Sequence, residues 1–158
     1  MGYETFMQIE VRVHTAARQE RWRHSLRVHL PERAALGQAL GGRIPIRGFP
    51  DGVTDSSLDE GAVLIHDEAH ALDVYDTCTE RHAKDLEAEG VVRRIREEYI
   101  THPDYHSFTW LSGGDFSALL GELDLAGYEQ VTLNAVSSAL TAFEQSGYET
   151  RVILWRLY

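Results

Sequence analysis

Three titratable side chains crowd one short stretch of this chain. His102, Asp104 and His106 fall within five residues, with Tyr105, Ser107 and Ser112 close by. Imidazole titrates near neutrality, so such a group has two chemical uses, as metal ligands or as an acid–base pair. The structural alternative is a loop whose histidines and tyrosine hydrogen-bond the backbone and hold an aromatic corner. Ser112 is not a nucleophile-elbow serine, because Gly-x-Ser-x-Gly would require glycine where Trp110 stands.

Two further motifs invite chemistry. Val63-Leu-Ile-His-Asp-Glu-Ala-His70 resembles the strand and acidic box of helicase-type ATPases. That machinery also needs a Gly-x4-Gly-Lys-Ser/Thr loop, and Lys84 is the only lysine, so the reading fails. His66-Asp-Glu-Ala-His70 differs by one residue from the zinc-protease His-Glu-x-x-His. Asp67 is one methylene shorter than the required base, and His66 ends an apolar strand instead of sitting mid-helix. A histidine pair at a hairpin turn is the simpler account. Cys78 at a helix start is a candidate for a lowered thiol pKa, and buried packing is the commoner fate of a lone cysteine.

The elements that must position these residues follow from periodicity. Thr5 to His14 alternates, with Met7, Ile9, Val11 and Val13 on one side and Gln8, Glu10, Arg12 and His14 on the other, as a strand does. A second alternating run, Trp22 to Leu30, turns Trp22, Leu26, Val28 and Leu30 inward and Arg23, Ser25, Arg27 and His29 outward. Paired as a hairpin, the two runs show Arg12, His14, Arg23, Arg27 and His29 on their open face. That face is either an anion-binding surface or a charged face covered and neutralised within the chain, by Glu10 or by acidic helices. Pro31 and Gly41-Gly42 bracket a short helix holding Leu36 and Leu40.

Arg43 to Ser57 holds two prolines among its glycines and reads as an irregular segment whose Ile44, Ile46, Phe49 and Val53 pack down. A loop beyond about 12–15 residues is uncommon without a job. Ala62 to His66 reads as a strand, with residues 67–76 as its hairpin return. A capping box at Thr77-Cys-Thr-Glu80 starts a helix that runs toward Tyr99, with a break at Gly90. Thr101 to Ser112 reads as a loop, and Ser112-Gly-Gly-Asp115 caps a helix whose stripe is Phe116, Leu119, Leu120 and Leu123. A longer helix spans about 129–146 on Leu133, Val136, Leu140 and Phe143, with Gly147 just past its end. Thr150 to Tyr158 is apolar on both faces and reads as an interior strand beside the first.

Composition bounds the answer. A chain of 158 residues with 43% hydrophobic content suffices for one domain with an ordinary core. One cysteine allows no internal disulfide and fits a reducing cytoplasmic setting. No apolar run approaches the ~18 residues of a membrane helix, and residues 1–10 form no signal peptide. Net charge is −10, unevenly placed: residues 1–47 carry eight Arg against four Glu, and the remainder is strongly acidic. General nucleic-acid affinity, which rests on many phosphate contacts, is excluded on that balance, while a local anion site near the basic third is not.

Four segments resemble a small family of bacterial and bacteriophage proteins. Met1-Gly-Tyr-Glu-Thr-Phe6 is similar to that family's Met-Gly-Cys-Asp-Ile-His opening, and Arg47-Gly-Phe-Pro-Asp-Gly-Val-Thr54 to its Arg-Gly-Leu-Pro-x-Asp-Val-Ser. His106-Ser-Phe-Thr-Trp-Leu-Ser112 is similar to its His-Ser-His-Ser-Trp-Leu-Thr, and Thr150 to Arg156 to its closing Val-Arg-Ile-Val-Phe-Trp-Phe. The matches run in the same order and cover about a quarter of the chain. The family's early Asp and His are Glu4 and Phe6 here, and the second His of its His-Ser-His is Phe108, so any metal held by those imidazoles would be lost. Residues 58–100 look like an insertion of a hairpin plus a helix. The resemblance implies lineage and a common fold and carries no activity across.

The combined expectation is a single α+β domain: a mostly antiparallel sheet made by the N-terminal hairpin and the C-terminal strand, with helices on one face. The segments 47–54 and 101–112 should meet at one end. The functional expectation is a phage- or prophage-type binding module, without cofactor, acting on a host protein or a small anionic ligand. Its site would gather Glu4, Arg47, His102, Asp104, His106, Trp110 and Ser112. The alternative is a metal- or His-dependent hydrolase using His102, Asp104 and His106. A two-fold dimer through a sheet edge or face is the default assembly.

Overall fold

The computed structural model describes residues 4–13, 15, 17, 20–64, 84, 88–89, 94–96, 99–101 and 104–157. They fall into two compact units, residues 1–54 with 107–158, and residues 55–106. His14, the 66–70 motif, Cys78 with its capping box, and His102 lie outside the described residues.

The first unit is built on a four-stranded sheet in the order β2-β1-β7-β6. Strand β1 (Glu4–Val13) runs antiparallel to β2 (Arg23–Leu30) on one side and to β7 (Tyr148–Leu157) on the other. The two ends of the chain therefore lie side by side, with Glu4 opposite Leu157 and Val13 opposite Tyr148. The Ser107–Ser112 part of β6 (Tyr105–Ser112) closes the other edge.

One face of this sheet is apolar because the odd residues of β1 and the even residues of β7 make it so. Met7, Ile9, Val11, Val152 and Leu154 are buried with Leu36, Leu40, Phe116, Leu120, Leu133, Val136 and Leu140. These come from α1 (Ala35–Ala39) and its C-cap Leu40, from α3 (Gly113–Leu120) and from α4 (Gly127–Gln145). Burying a Leu, Ile or Phe side chain contributes about 1.5–3 kcal/mol each, so this face is the main source of stability. The α+β architecture expected from periodicity is the one observed, helices over one face included.

Local chemistry fixes the helices. The Asp115 N–H donates to Ser112 Oγ at 3.1 Å, so Ser112 caps α3 as its spacing predicts. Helix α1 has no cap of its own. The carboxylate of Glu129, in the first turn of α4, accepts from the Ala35 and Leu36 N–H groups, each at 3.0 Å. Gly113 is required by close approach: a Cβ there would lie 1.8 Å from Thr150 Oγ1 and 2.6 Å from Glu144 Oε1.

The second unit holds α2 (Asp55–Gly61) and a three-stranded antiparallel sheet, β3 (Ala62–Leu64), β4 (Arg94–Arg96) and β5 (Tyr99–Thr101), in the order β3-β5-β4. Two expectations are corrected here. The helix expected to run toward Tyr99 gives way to β4 and β5, because β-branched and aromatic residues dominate after Gly90, where the helical stripe loses phase. The stretch Thr101–Ser112, expected as a loop, is strand from Tyr105 onward. Phe108, Trp110 and Ser112 alternate with Thr109 and Leu111, a period of two that the nearby Pro103 masks in the sequence.

A third correction concerns β2. The β1–β2 register slips between Ile9, opposite Leu26, and Glu10, opposite His24. One extra residue in a strand sends everything beyond it to the other face. Trp22 and His24 thus join Gln8 and Arg12 on the face away from the helices, and the expected inward set Trp22, Leu26, Val28, Leu30 is split. Among the described residues, no helix is long and apolar enough to cross a membrane.

Candidate functional site

The sheet face away from the helices carries the even residues of β1 and the odd residues of β7. Antiparallel register sets Glu10 opposite Arg151 and Arg12 opposite Glu149. Side chains directly opposite on one face interact, and both pairs close as ion pairs, with the acid and base exchanged between strands.

The inner pair is buried. Glu10 is 0% and Arg151 4% exposed, and Arg151 donates to Glu10 Oε1 from Nε at 2.9 Å and from Nη2 at 2.6 Å. The remaining hydrogen-bonding capacity is spent on the segment 45–54, which crosses this face. Arg151 Nη1 donates to the Asp51 carbonyl at 2.8 Å and Nη2 to the Gly52 carbonyl at 3.1 Å. The Thr54 N–H donates to Glu10 Oε2 at 2.9 Å. Burial pulls the Arg151 pKa below the usual guanidinium value, and the Glu10 carboxylate pulls it back up. Arginine stays charged through such shifts. A buried pair satisfied in this way is a fixed strut.

The same segment is anchored along β6. The Gly48 N–H donates to the Phe108 carbonyl at 2.7 Å, and Thr109 Oγ1 donates to the Pro45 carbonyl at 2.6 Å. Phe49 then packs on Phe108 with ring centroids 4.6 Å apart, and Phe108 stacks on the fully buried Trp155 at 5.6 Å. Phe6 continues the stack on the other side of Trp155 at 5.8 Å.

The outer pair lies at a cavity. Arg12 Nε meets Glu149 Oε2 at 2.6 Å, with side chains 18% and 43% exposed. The cavity, about 240 Å³, is lined by Arg12, Trp22, Pro50, Asp51, Trp110, Ser112, Glu149, Thr150 and Arg151. Both guanidinium groups lie over the Trp22 ring, Arg12 at 4.3 Å and Arg151 at 4.0 Å from its centroid. The exposed Arg47 lies over the Trp110 ring at 5.7 Å. Cation–π attraction draws each guanidinium to the face of an indole. Two indoles, a serine and guanidinium groups around a concave space are the ordinary makings of a small-ligand site.

The seven residues expected to form the site are distributed unevenly. Trp110 and Ser112 line the cavity, and Arg47 stands over Trp110. Glu4 sits at the opposite end of β1, roughly 26 Å from Arg12 at about 3.3 Å per residue. There it pairs with His29 at 3.2 Å, and His29 stacks on Phe6. Asp104 and His106 belong to the second unit, and His102 is outside the described residues. Among the described residues, no three His, Cys, Asp or Glu side chains gather as a metal site. Three of the charged side chains expected on the hairpin's open face have carboxylate partners within the chain: Arg12 with Glu149, Arg23 with Glu20 at 3.6 Å and His29 with Glu4.

Sequence reasoning missed Trp22, Glu149 and Arg151, the partner of Glu10. One signal was present. Arg151 stands beside a run of apolar residues on a strand read as interior, and a charge on an interior strand demands a partner. No family model, curated protein or solved structure matches the chain.

Proposed function

We propose that the protein is a non-catalytic binding module that takes a small anionic ligand in the cavity between Trp22 and Trp110. The observation that carries this is the pre-formed cavity itself. It is braced by the Glu10–Arg151 pair and lined by Arg12, which is held over Trp22, while Arg47 stands over the other lining indole, Trp110. A site that is organised before the ligand arrives loses less affinity to ordering. The volume, below the roughly 300–1,000 Å³ of drug-sized sites, suits a ligand with a single ring and one charged group. The Glu149 carboxylate at the cavity is engaged by Arg12, a binding arrangement in preference to an acid–base one.

The ordered likeness of four segments to bacterial and phage proteins supports a phage- or prophage-type accessory role. Cytoplasmic residence, supported by the lone cysteine, and a two-fold dimer, supported by how common such dimers are, complete the proposal. Titration with benzoate, followed by tryptophan fluorescence, tests the site. A saturable change in the wild-type protein that is lost in Trp110→Ala is expected. No saturable change, or full retention in Trp110→Ala, would remove the cavity as the binding site. Sedimentation velocity checks the dimer.

A further inference from the structure

The outer ion pair says more about the ligand than the cavity's shape does. Arg12 is the guanidinium at the cavity with an exposed carboxylate on it. Glu149 reaches it across the β1–β7 rung, 2.6 Å from Nε, and 43% of the Glu149 side chain is open to solvent. The inner rung, two residues along the same strands, has the same chemistry with no access: the Glu10 side chain is 0% exposed and the Arg151 side chain 5%. A buried pair cannot exchange partners without leaving a charge unpaired in a dry place. An exposed pair can, because its net worth is small and water is at hand.

We infer that the ligand is a flat carboxylic acid and that Glu149 is its internal competitor. The Glu149 carboxylate occupies the position on Arg12 that the ligand's carboxylate takes when it binds, while the ligand's ring lies against Trp110. Arg12 is held over Trp22 in both states, so the exchange replaces one carboxylate by another and leaves the guanidinium where it is. Glu149 can turn away because it lies next to Tyr148, where β7 begins, and its side chain faces solvent. This inference rests on the cavity being the binding site.

Isothermal titration of the full chain with benzoate, benzamide and benzylamine separates the outcomes. Glu149→Gln keeps the size of the side chain and removes its charge. It is expected to bind benzoate about five-fold tighter than wild type, the order of an exposed ion pair's worth, with benzamide unchanged. Arg12→Gln is expected to lose benzoate by about ten-fold or more, as for a hydrogen bond to a charged group. Arg12→Lys, which keeps the charge, checks that the loss is not a folding defect. Equal benzoate affinity in wild type and Glu149→Gln would overturn the competitor role and leave the cavity reading standing. Tighter binding of benzylamine than benzoate to the wild type would overturn the carboxylate assignment. Absence of binding to every variant would overturn this inference together with the cavity reading.

Discussion

Two arginine–carboxylate pairs sit two residues apart on the same two strands and the same face, and they do different work. Glu10–Arg151 is sealed under the 45–54 segment, and its spare donors and acceptors grip the Asp51 and Gly52 carbonyls and the Thr54 N–H. Arg12–Glu149 opens on the cavity. The cross-strand geometry is shared, so the difference comes from water. Where water is excluded, a charge pair is costly to disturb and serves as a brace. Where water enters, the same pair is cheap to open and becomes available to a ligand.

The sharpest way to break this contrast is to remove each acid in turn. Glu10→Ala leaves Arg151 charged in a dry site and is expected to cost about 3–5 kcal/mol, read by urea denaturation. Glu149→Ala is expected to cost no more than about 1 kcal/mol. Equal losses would erase the distinction. An effect between these two is expected behind the outer rung. Gly113→Ala drives a Cβ into Thr150, the residue between Glu149 and Arg151 in sequence, for a loss of about 1–3 kcal/mol. Salt gives a further separation. In 1 M NaCl, where the Debye length is about 3 Å, the Glu149→Ala deficit should vanish and the Glu10→Ala deficit should persist. The smallest expected effect is at Asp51, which serves the inner pair through its backbone carbonyl. Asp51→Ala should shift stability by no more than about 0.5 kcal/mol.

Much of the first unit can be read from its sequence. Met7, Ile9 and Val11 announce β1, and the doubly apolar run from Val152 to Trp155 announces an interior strand beside it. Ser112 with Asp115 announces the start of α3. These signals are local, repeated over several residues and redundant. The site depends on single events. One slipped residue at Ile9/Glu10 carries Trp22 to the cavity side, and nothing in the alternation of β2 betrays it. Glu10 and Arg151 are 141 positions apart, so each alone looks like an outward charge. Only the register of β1 on β7 makes them partners. The cluster His102–Asp104–His106 drew attention through its density of titratable groups. Trp110 and Ser112, a few residues on, are the part of that stretch found at the cavity.

The most direct test watches the two arginines at once. In a ¹⁵N-resolved NMR titration with benzoate, the Nε–H signals of Arg12 and Arg151 report their own carboxylate partners. The Arg12 signal should move saturably as Glu149 gives way to the ligand, with the Arg151 signal fixed throughout. Movement of Arg151, or an Arg12 signal that stays in place while benzoate binds, would contradict the division of labour between the two pairs.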